Sequence, residues 1–172
     1  MYNIIIKSKK EIIMKNANEK TGFSLLARLS ILAMGICGIC ICACWYPFEI
    51  SLNAFGGGTT SLMWAQLCFD WLVSLPCFLI LGIAWTVAIS MKKEIFTRKN
   101  SDRLKLCGWI LLCDTLIYLL GNLAFMLMEQ NVFAIFHFFM ALLALIVSLL
   151  FFMAGYYVSH GTRLREENEE FV

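Results

Sequence analysis

Charge is what this sequence lacks. Only 15% of its 172 residues are Asp, Glu, Lys or Arg, against about a quarter in a soluble globular domain. No lysine or arginine interrupts the 63 residues between Arg28 and Lys92, nor the 57 between Lys105 and Arg163. Prolines are scarce as well, with two in the chain. These shortages argue first against a water-soluble fold. Twelve acidic and 14 basic residues cannot coat a chain that is 60% hydrophobic, with a mean hydropathy of +0.77. They argue next against nucleic acid as a direct partner: the net charge is only +2, and the basic residues fall in short blocks, not along one folded face. No Gly-rich phosphate loop, HExxH motif, paired metal ligands or Ser/His/Asp order is present. The expectation is a non-enzymatic protein with no cofactor.

What is present is a pattern. The basic residues form three blocks, Lys7 to Arg28, Lys92 to Lys105, and Arg163 with Arg165. A spanning helix needs about 20 apolar residues at about 1.5 Å each to cross about 30 Å of hydrocarbon. Each gap therefore holds one helical hairpin, and the fold class is an all-α membrane protein, a four-transmembrane-helix bundle surrounded by lipid. The spans are expected at about 25–45, 64–90, 104–128 and 132–158, preceded by a basic segment 1–24 and followed by an acidic tail 159–172. The connections Tyr46 to Met63 and Glu129 to Asn131 contain no Lys or Arg, so the positive-inside rule puts both termini and the 91–104 loop in the cytoplasm. Trp45, Tyr46, Trp64, Trp109, Tyr156 and Tyr157 fall near the expected helix ends, as an aromatic belt requires.

The first 20 residues are polar and basic around the patch Ile4-Ile5-Ile6. They suit either an inner-leaflet contact or a disordered lead-in, and Met14 is an alternative start. The run before the first apolar stretch also fits a signal peptide, but no soluble domain follows, so an uncleaved helix is the better reading. The run Gly56-Gly57-Gly58-Thr59-Thr60 is expected to be a flexible outer connection with no catalytic character.

Eight cysteines raise three readings: a disulfide framework, a soft-metal site, or small packing residues. All eight lie within expected spans, whereas thiol exchange with a partner needs cysteines at or beyond the membrane face. Cys37, Cys40 and Cys44 share one helical face, with no acid or histidine in the same helix to complete a metal site. Packing of helix 1 through these small residues, alongside Ala33, Gly35, Gly38 and Ala43, is the expectation.

Ionisable groups inside a span are costly and mark function by default. Three occur: Asp70, Asp114 and His137. Counting rises from the helix ends puts Asp70, Asn122 and His137 at a common depth in the outer half of the bundle, with Asp114 alone near the midplane. Asp114, Tyr118 and Asn122 recur every four residues and form one polar stripe facing inward. The functional reading is a proton or ligand site with Asp70 partnering His137. The structural reading is a hydrogen-bonded staple that fixes helix register. Pro76, near Asp70 on the same helix, is expected to kink it.

Two runs carry a family resemblance. One comprises Phe96, Thr97, Asn100, Arg103, Leu104, Gly108 and Trp109; the other comprises Gly161, Leu164, Glu166, Glu167 and Asn168. Together they resemble the bacterial family called domain of unknown function 2975, although Glu169-Glu170-Phe171-Val172 departs from its Leu-Thr-Val-like ending. The resemblance implies a small four-helix protein of a bacterial inner membrane, with no established activity. It also implies a cytoplasmic partner, a small helix-turn-helix regulator, because genes of the family often neighbour one. Phe96, Thr97, Asn100, Arg103, Glu166, Glu167 and Asn168 are the candidate partner surface, with Thr97 or Asn100 capping helix 3. Helices 3 and 4 are joined by a short connection, so the two runs are expected to lie together, either docked on each other through Arg103 and Glu167 or, the preferred alternative, presenting a surface to a partner. The rival reading is a small transporter, channel component or peptide-immunity protein using the Asp70/Asn122/His137 level; either reading accommodates a homo-oligomer. The topology predicts that reporter fusions after residues 55, 98 and 172 read outside, inside and inside. An externally accessible C-terminus would overturn it.

Overall fold

The computed structural model describes residues 2–55, 60–91, 94, 96–128 and 134–170. Within lipid every backbone N–H and C=O must be satisfied inside its own segment, which restricts an apolar chain of this kind to helices. The described residues obey that restriction. They form α1 (Tyr2–Cys40), a π-helical step (Ile41–Trp45), α2 (Tyr46–Phe55), α3 (Thr60–Ser90), α4 (Arg98–Met128) and α5 (Ala134–Glu170). Four stretches are long and apolar enough to cross a membrane: Thr21–Phe48, Trp64–Ser90, Arg98–Met128 and Phe136–Glu169. The four-span architecture expected from the basic blocks is the architecture found.

The helix ends differ from expectation in ways the backbone explains. Residues 2–24 do not form a lead-in separate from helix 1, because α1 runs unbroken from Tyr2 through the first span. No proline interrupts that stretch. The expected connection from Tyr46 to Met63 is also largely helical, up to Phe55 and again from Thr60. Pro47 explains the adjustment: its missing N–H removes an α-helical bond, and the preceding turn widens so that the Tyr46 N–H donates to the Ile41 carbonyl. A π-pattern bond from residue 47 to the Cys42 carbonyl is equally unavailable, and Trp71 Nε1 donates to that carbonyl instead, at 3.0 Å. At the other end of the chain, α5 continues beyond Val158 to Glu170. Pro76 lies inside α3 without interrupting its helical assignment. The run 56–59, the connection 129–131, Lys92, Lys93, Phe171-Val172 and the Ile4-Ile5-Ile6 side chains lie outside the described residues.

The helices pack in a row. α1 lies on α3, α3 on α4, and α4 most extensively on α5, whereas α1 and α5 do not touch among the described residues. Small residues set the α4–α5 spacing, as packing within lipid favours. Ser101 Oγ donates to the Gly155 carbonyl at 2.8 Å, and Ser148 Oγ donates to the Gly108 carbonyl at 2.9 Å. A Cβ built on Gly155 would stand 3.2 Å from both the Lys105 backbone nitrogen and the Ser101 carbonyl oxygen, and one on Gly108 would meet the Phe152 ring at 3.1 Å. Ile80, Cys107 and Leu111 form the central apolar core, bordered by Ile83, Ile110, Ala144 and Phe151. The start of the first span is pinned by Ser24 Oγ, which donates to the Ala88 carbonyl at 2.6 Å.

The cysteine expectation needs correcting. Cys37, Cys40 and Cys44 are exposed along the helix and do not pack it. Besides Ser24, the residues of α1 that approach α3 include Gly35, beside Leu81, and Gly38, beside Phe78. Side chains spaced by three and four share a face, but the spacing does not say which face a neighbour covers. Trp64, Trp109, Tyr156 and Tyr157 are exposed, as belt residues should be. Between α1 and α5 a groove of about 390 Å³ opens, floored by α3 and α4 and lined in part by Gly38, Tyr46, Cys77, Leu111, Met140 and Phe151.

This packing predicts opposite outcomes for two glycine replacements. Gly155→Leu forces side-chain atoms against the α4 backbone and should cost about 1–3 kcal/mol, the usual range for overpacking. Gly82→Ala, with nothing within 4 Å of the new methyl, should be neutral or stabilise by up to about 1 kcal/mol. Thermal unfolding of the purified protein in detergent reads both.

Candidate functional site

Two clusters of polar side chains stand out, one inside the bundle and one at its basic end. The inner cluster is built by three helices. Asp70 on α3 and His137 on α5 are each only 2% exposed. Tyr118 on α4 reaches His137, its hydroxyl 2.5 Å from Nδ1 and the two rings 5.7 Å apart at 60°. Asn122, one turn along, donates from Nδ2 to the Tyr118 carbonyl at 2.9 Å. Phe69 packs on Phe125, with ring centroids 5.7 Å apart, and fills the space over Gly121. That register sets the next residue, Asp70, at the level of Gly121 and Asn122. Tyr118 and Asn122 of α4 and His137 of α5 are thereby joined in the half of the bundle away from the basic loop, and Asp70 follows the residue that meets Gly121.

Asp114 is not alone, and that expectation is corrected. Its Oδ2 accepts from the Cys77 thiol at 3.8 Å across the α3–α4 contact. Depth counting along separate helices does not register a neighbour that shares the depth, and Cys77 has no charge to draw attention to it. Ser74 links the level to α2: its hydroxyl donates to the Asp70 carbonyl at 2.7 Å and lies 3.3 Å from the Tyr46 hydroxyl. Gln66, one turn from Asp70 on the same face of α3, is buried as well. Among the described residues, Gln66 Nε2 and Asn122 Oδ1 are buried without a hydrogen-bond partner.

The second cluster joins the 91–104 loop to the end of α5. Thr97 caps α4, its hydroxyl accepting from the Asn100 N–H at 3.2 Å. Asn100 is 2% exposed; its Oδ1 accepts from Ser90 at 2.9 Å and its Nδ2 donates to the Glu94 carbonyl at 3.3 Å. Asn100 thus clamps the loop from inside and leaves the surface to its neighbours, a correction to its place among surface residues. Phe96 packs over Gly161 and against Tyr157, ring centroids 6.3 Å apart. Arg98 grips Glu166 in bidentate fashion, at 2.7 and 3.2 Å. Arg165 bridges Glu94 and Glu169. Glu167 pairs with Arg163, one turn away on its own helix, at 2.9 Å. The alternative of an Arg103–Glu167 dock is not the pairing found: the antiparallel register sets Arg98 opposite this part of α5, and Glu167 takes Arg163. Phe96, Thr97, Arg98, Thr162, Arg165 and Glu166 line a shallow cleft of about 260 Å³.

A family profile described as "Protein of unknown function (DUF2975)" matches residues 15–172. The chain belongs to the DUF2975 family. No curated protein and no solved structure matches it. Both runs that carried the resemblance lie inside the DUF2975 match, and the structure brings them into contact. Sequence reasoning missed Glu94, Arg98 and Arg165 at this face because single charges near a loop look like ordinary solvated residues. It missed Gln66 because an uncharged amide near a helix end attracts no notice, although its four-residue spacing from Asp70 was available as a signal. Among the described residues, no group of three or more His, Cys, Asp and Glu is placed to hold a metal ion.

The Tyr118–His137 contact predicts measurable coupling. In a double-mutant cycle with Tyr118→Phe and His137→Phe, the interaction energy should be about 1 kcal/mol, within the range seen for interhelical hydrogen bonds in membrane proteins. Unfolding in detergent or mixed micelles measures it, and strictly additive losses would remove the bond from the account.

Proposed function

We propose that this chain is a non-enzymatic protein of a bacterial inner membrane, with both termini cytoplasmic, that engages a cytoplasmic protein through the face made by the 91–104 stretch, whose residues from Arg98 onward are the start of α4, and the end of α5. The observation that carries this reading is the pinning of the loop to α5 by the bidentate Arg98–Glu166 pair and the Arg165–Glu94 bridge. Exposed ion pairs of this kind contribute only about 0–1 kcal/mol, and Arg98 and Glu166 are exposed. Stability therefore accounts poorly for so ordered an arrangement. A preorganised pattern of alternating charge around an apolar Phe96 accounts for it better, since fixed complementary charges supply specificity and fast encounter more than affinity. The class of partner implied by the resemblance is a small helix-turn-helix regulator. No direct contact with nucleic acid is required of the membrane protein itself.

A second reading is favoured by the inner cluster. Unpaired buried groups at Gln66 and Asn122, beside two buried ionisable residues, suit a transporter or channel component better than a simple packing staple. A staple gains only when its groups are satisfied.

Charge reversal tests the first reading. Glu166→Arg or Arg98→Glu should abolish co-purification of candidate helix-turn-helix regulators from detergent, while the melting temperature of the membrane protein moves by no more than the loss of one exposed pair allows. The two changes together should restore the pair, and with it capture that depends only on loop position. Capture that survives all three variants would overturn the reading.

A further inference from the structure

The row of helices is left open on one side. α1 packs on α3 and α5 on α4, but α1 and α5 do not meet among the described residues. The gap between them is the groove of about 390 Å³. Its lining runs from Ser74 to Ala84 on α3 and from Met140 to Phe151 on α5, about 15 Å of helix on each. Both stretches lie inside the spans Trp64–Ser90 and Phe136–Glu169, so what stands at the opening is hydrocarbon. Gly38, Ala84 and Ala144, one each on α1, α3 and α5, keep the groove open where a larger side chain would occupy it.

The lining selects its occupant. Its two hydroxyls have their protons engaged within the protein. Ser74 Oγ donates to the Asp70 carbonyl at 2.7 Å, which leaves the Tyr46 hydroxyl to donate to Ser74 across 3.3 Å. The Cys77 thiol likewise turns to Asp114. No Lys, Arg or His is part of the lining. A chain ending in its own carboxylate would therefore find neither a cation nor a hydroxyl donor, and an uncompensated charge in hydrocarbon is costly. An esterified chain brings no charge and leaves its headgroup at the membrane surface. Length agrees, since about 15 Å is half of a hydrocarbon core about 30 Å thick, the reach of one leaflet. A transmembrane helix, about 10 Å across, would need about 1,200 Å³ over the same length, well beyond this groove. Left empty, the walls would forfeit their dispersion contacts.

We propose that the groove between α1 and α5 seats one acyl chain of a bilayer phospholipid, which bridges two helices that the protein itself leaves apart. Met34 and Ile41 meet the chain from the α1 side, Met140 and Val147 from α5, and Leu111 from beneath. The two methionines suit such an occupant, because their unbranched, polarizable side chains adapt to an irregular apolar surface. The lipid is then a structural component of the bundle, standing where a direct α1–α5 contact is missing. The inference goes beyond both functional readings above and depends on neither, since neither requires a lipid at this place.

The test uses the full chain in phosphatidylglycerol vesicles, a variable fraction of whose lipid carries a photoactivatable diazirine midway along one acyl chain, followed by residue-resolved mass spectrometry. Leu111 is the diagnostic position, because it lies on the groove floor and is only 7% exposed. Leu143 on α5, 57% exposed and outside the lining, reports passing lipid. Labelling of Leu111 should saturate as the probe fraction rises, whereas labelling of Leu143 should rise in proportion to it. Ala144→Phe and, on a different helix, Ala84→Phe should each remove the Leu111 labelling and leave that of Leu143. In the unaltered protein, a Leu111 that stays unlabelled while Leu143 is labelled, or a Leu111 signal that does not saturate, overturns the seat. Undiminished Leu111 labelling in a phenylalanine variant that keeps the original melting temperature overturns it as well. Cross-linking of Leu111 or Met140 to a second copy of the chain would place a helix in the groove and overturn the phospholipid as its occupant.

Discussion

Helices in lipid gain nothing from hiding apolar surface from one another, since the lipid tails are as apolar as the helices. Their association depends on how closely backbones can approach, and in this chain the closest approach is between α4 and α5. Ser101 against Gly155 and Ser148 against Gly108 bring two backbones together through hydroxyl-to-carbonyl bonds. The rest of the arrangement is referred to that pair. It fixes which residues of α4 face α3, hence where Phe69 meets Gly121 and where Cys77 meets Asp114. It also fixes the separation at the basic end, so that Phe96 can lie over Gly161.

The same pairing connects the two polar clusters mechanically. His137 and Glu166 are on one continuous helix, α5, and Tyr118 and Arg98 are on one continuous helix, α4. A change in the Tyr118–His137 contact and a change in the Arg98–Glu166 contact are therefore displacements of the same two rods. Coupling between the clusters would require those rods to have two relative positions.

The number and placement of the spans were legible because a charged side chain in hydrocarbon is costly, so the gaps between basic blocks had to be membrane. That Tyr118 and Asn122 share a face was legible because residues four apart on a helix are neighbours. What the sequence did not disclose was rotation and termination. Pro47 reads as the end of a helix, yet a single π-helical step and the Trp71 side chain absorb it. The rotation of α1 cannot be told from Cys37, Cys40 and Cys44, since two small-residue faces, theirs and that of Gly35 and Gly38, are available and only one is covered. Arg103 and Arg98 are equally basic, and only the antiparallel register distinguishes the one that meets Glu166. The end of α5 escaped notice because Arg and Glu extend a helix into water as readily as apolar residues carry it through lipid.

The open row of helices bears on how the chain is made. Synthesis delivers α1 and α3 first, yet α1 contacts only its sequential neighbours among the described residues, and the tightest pair is the last to emerge. In such a row the position of α1 depends on the surface that α3 presents, and that of α3 on its seat against α4, so a displacement within the C-terminal hairpin is passed to the N-terminal half through α3 alone among the described contacts.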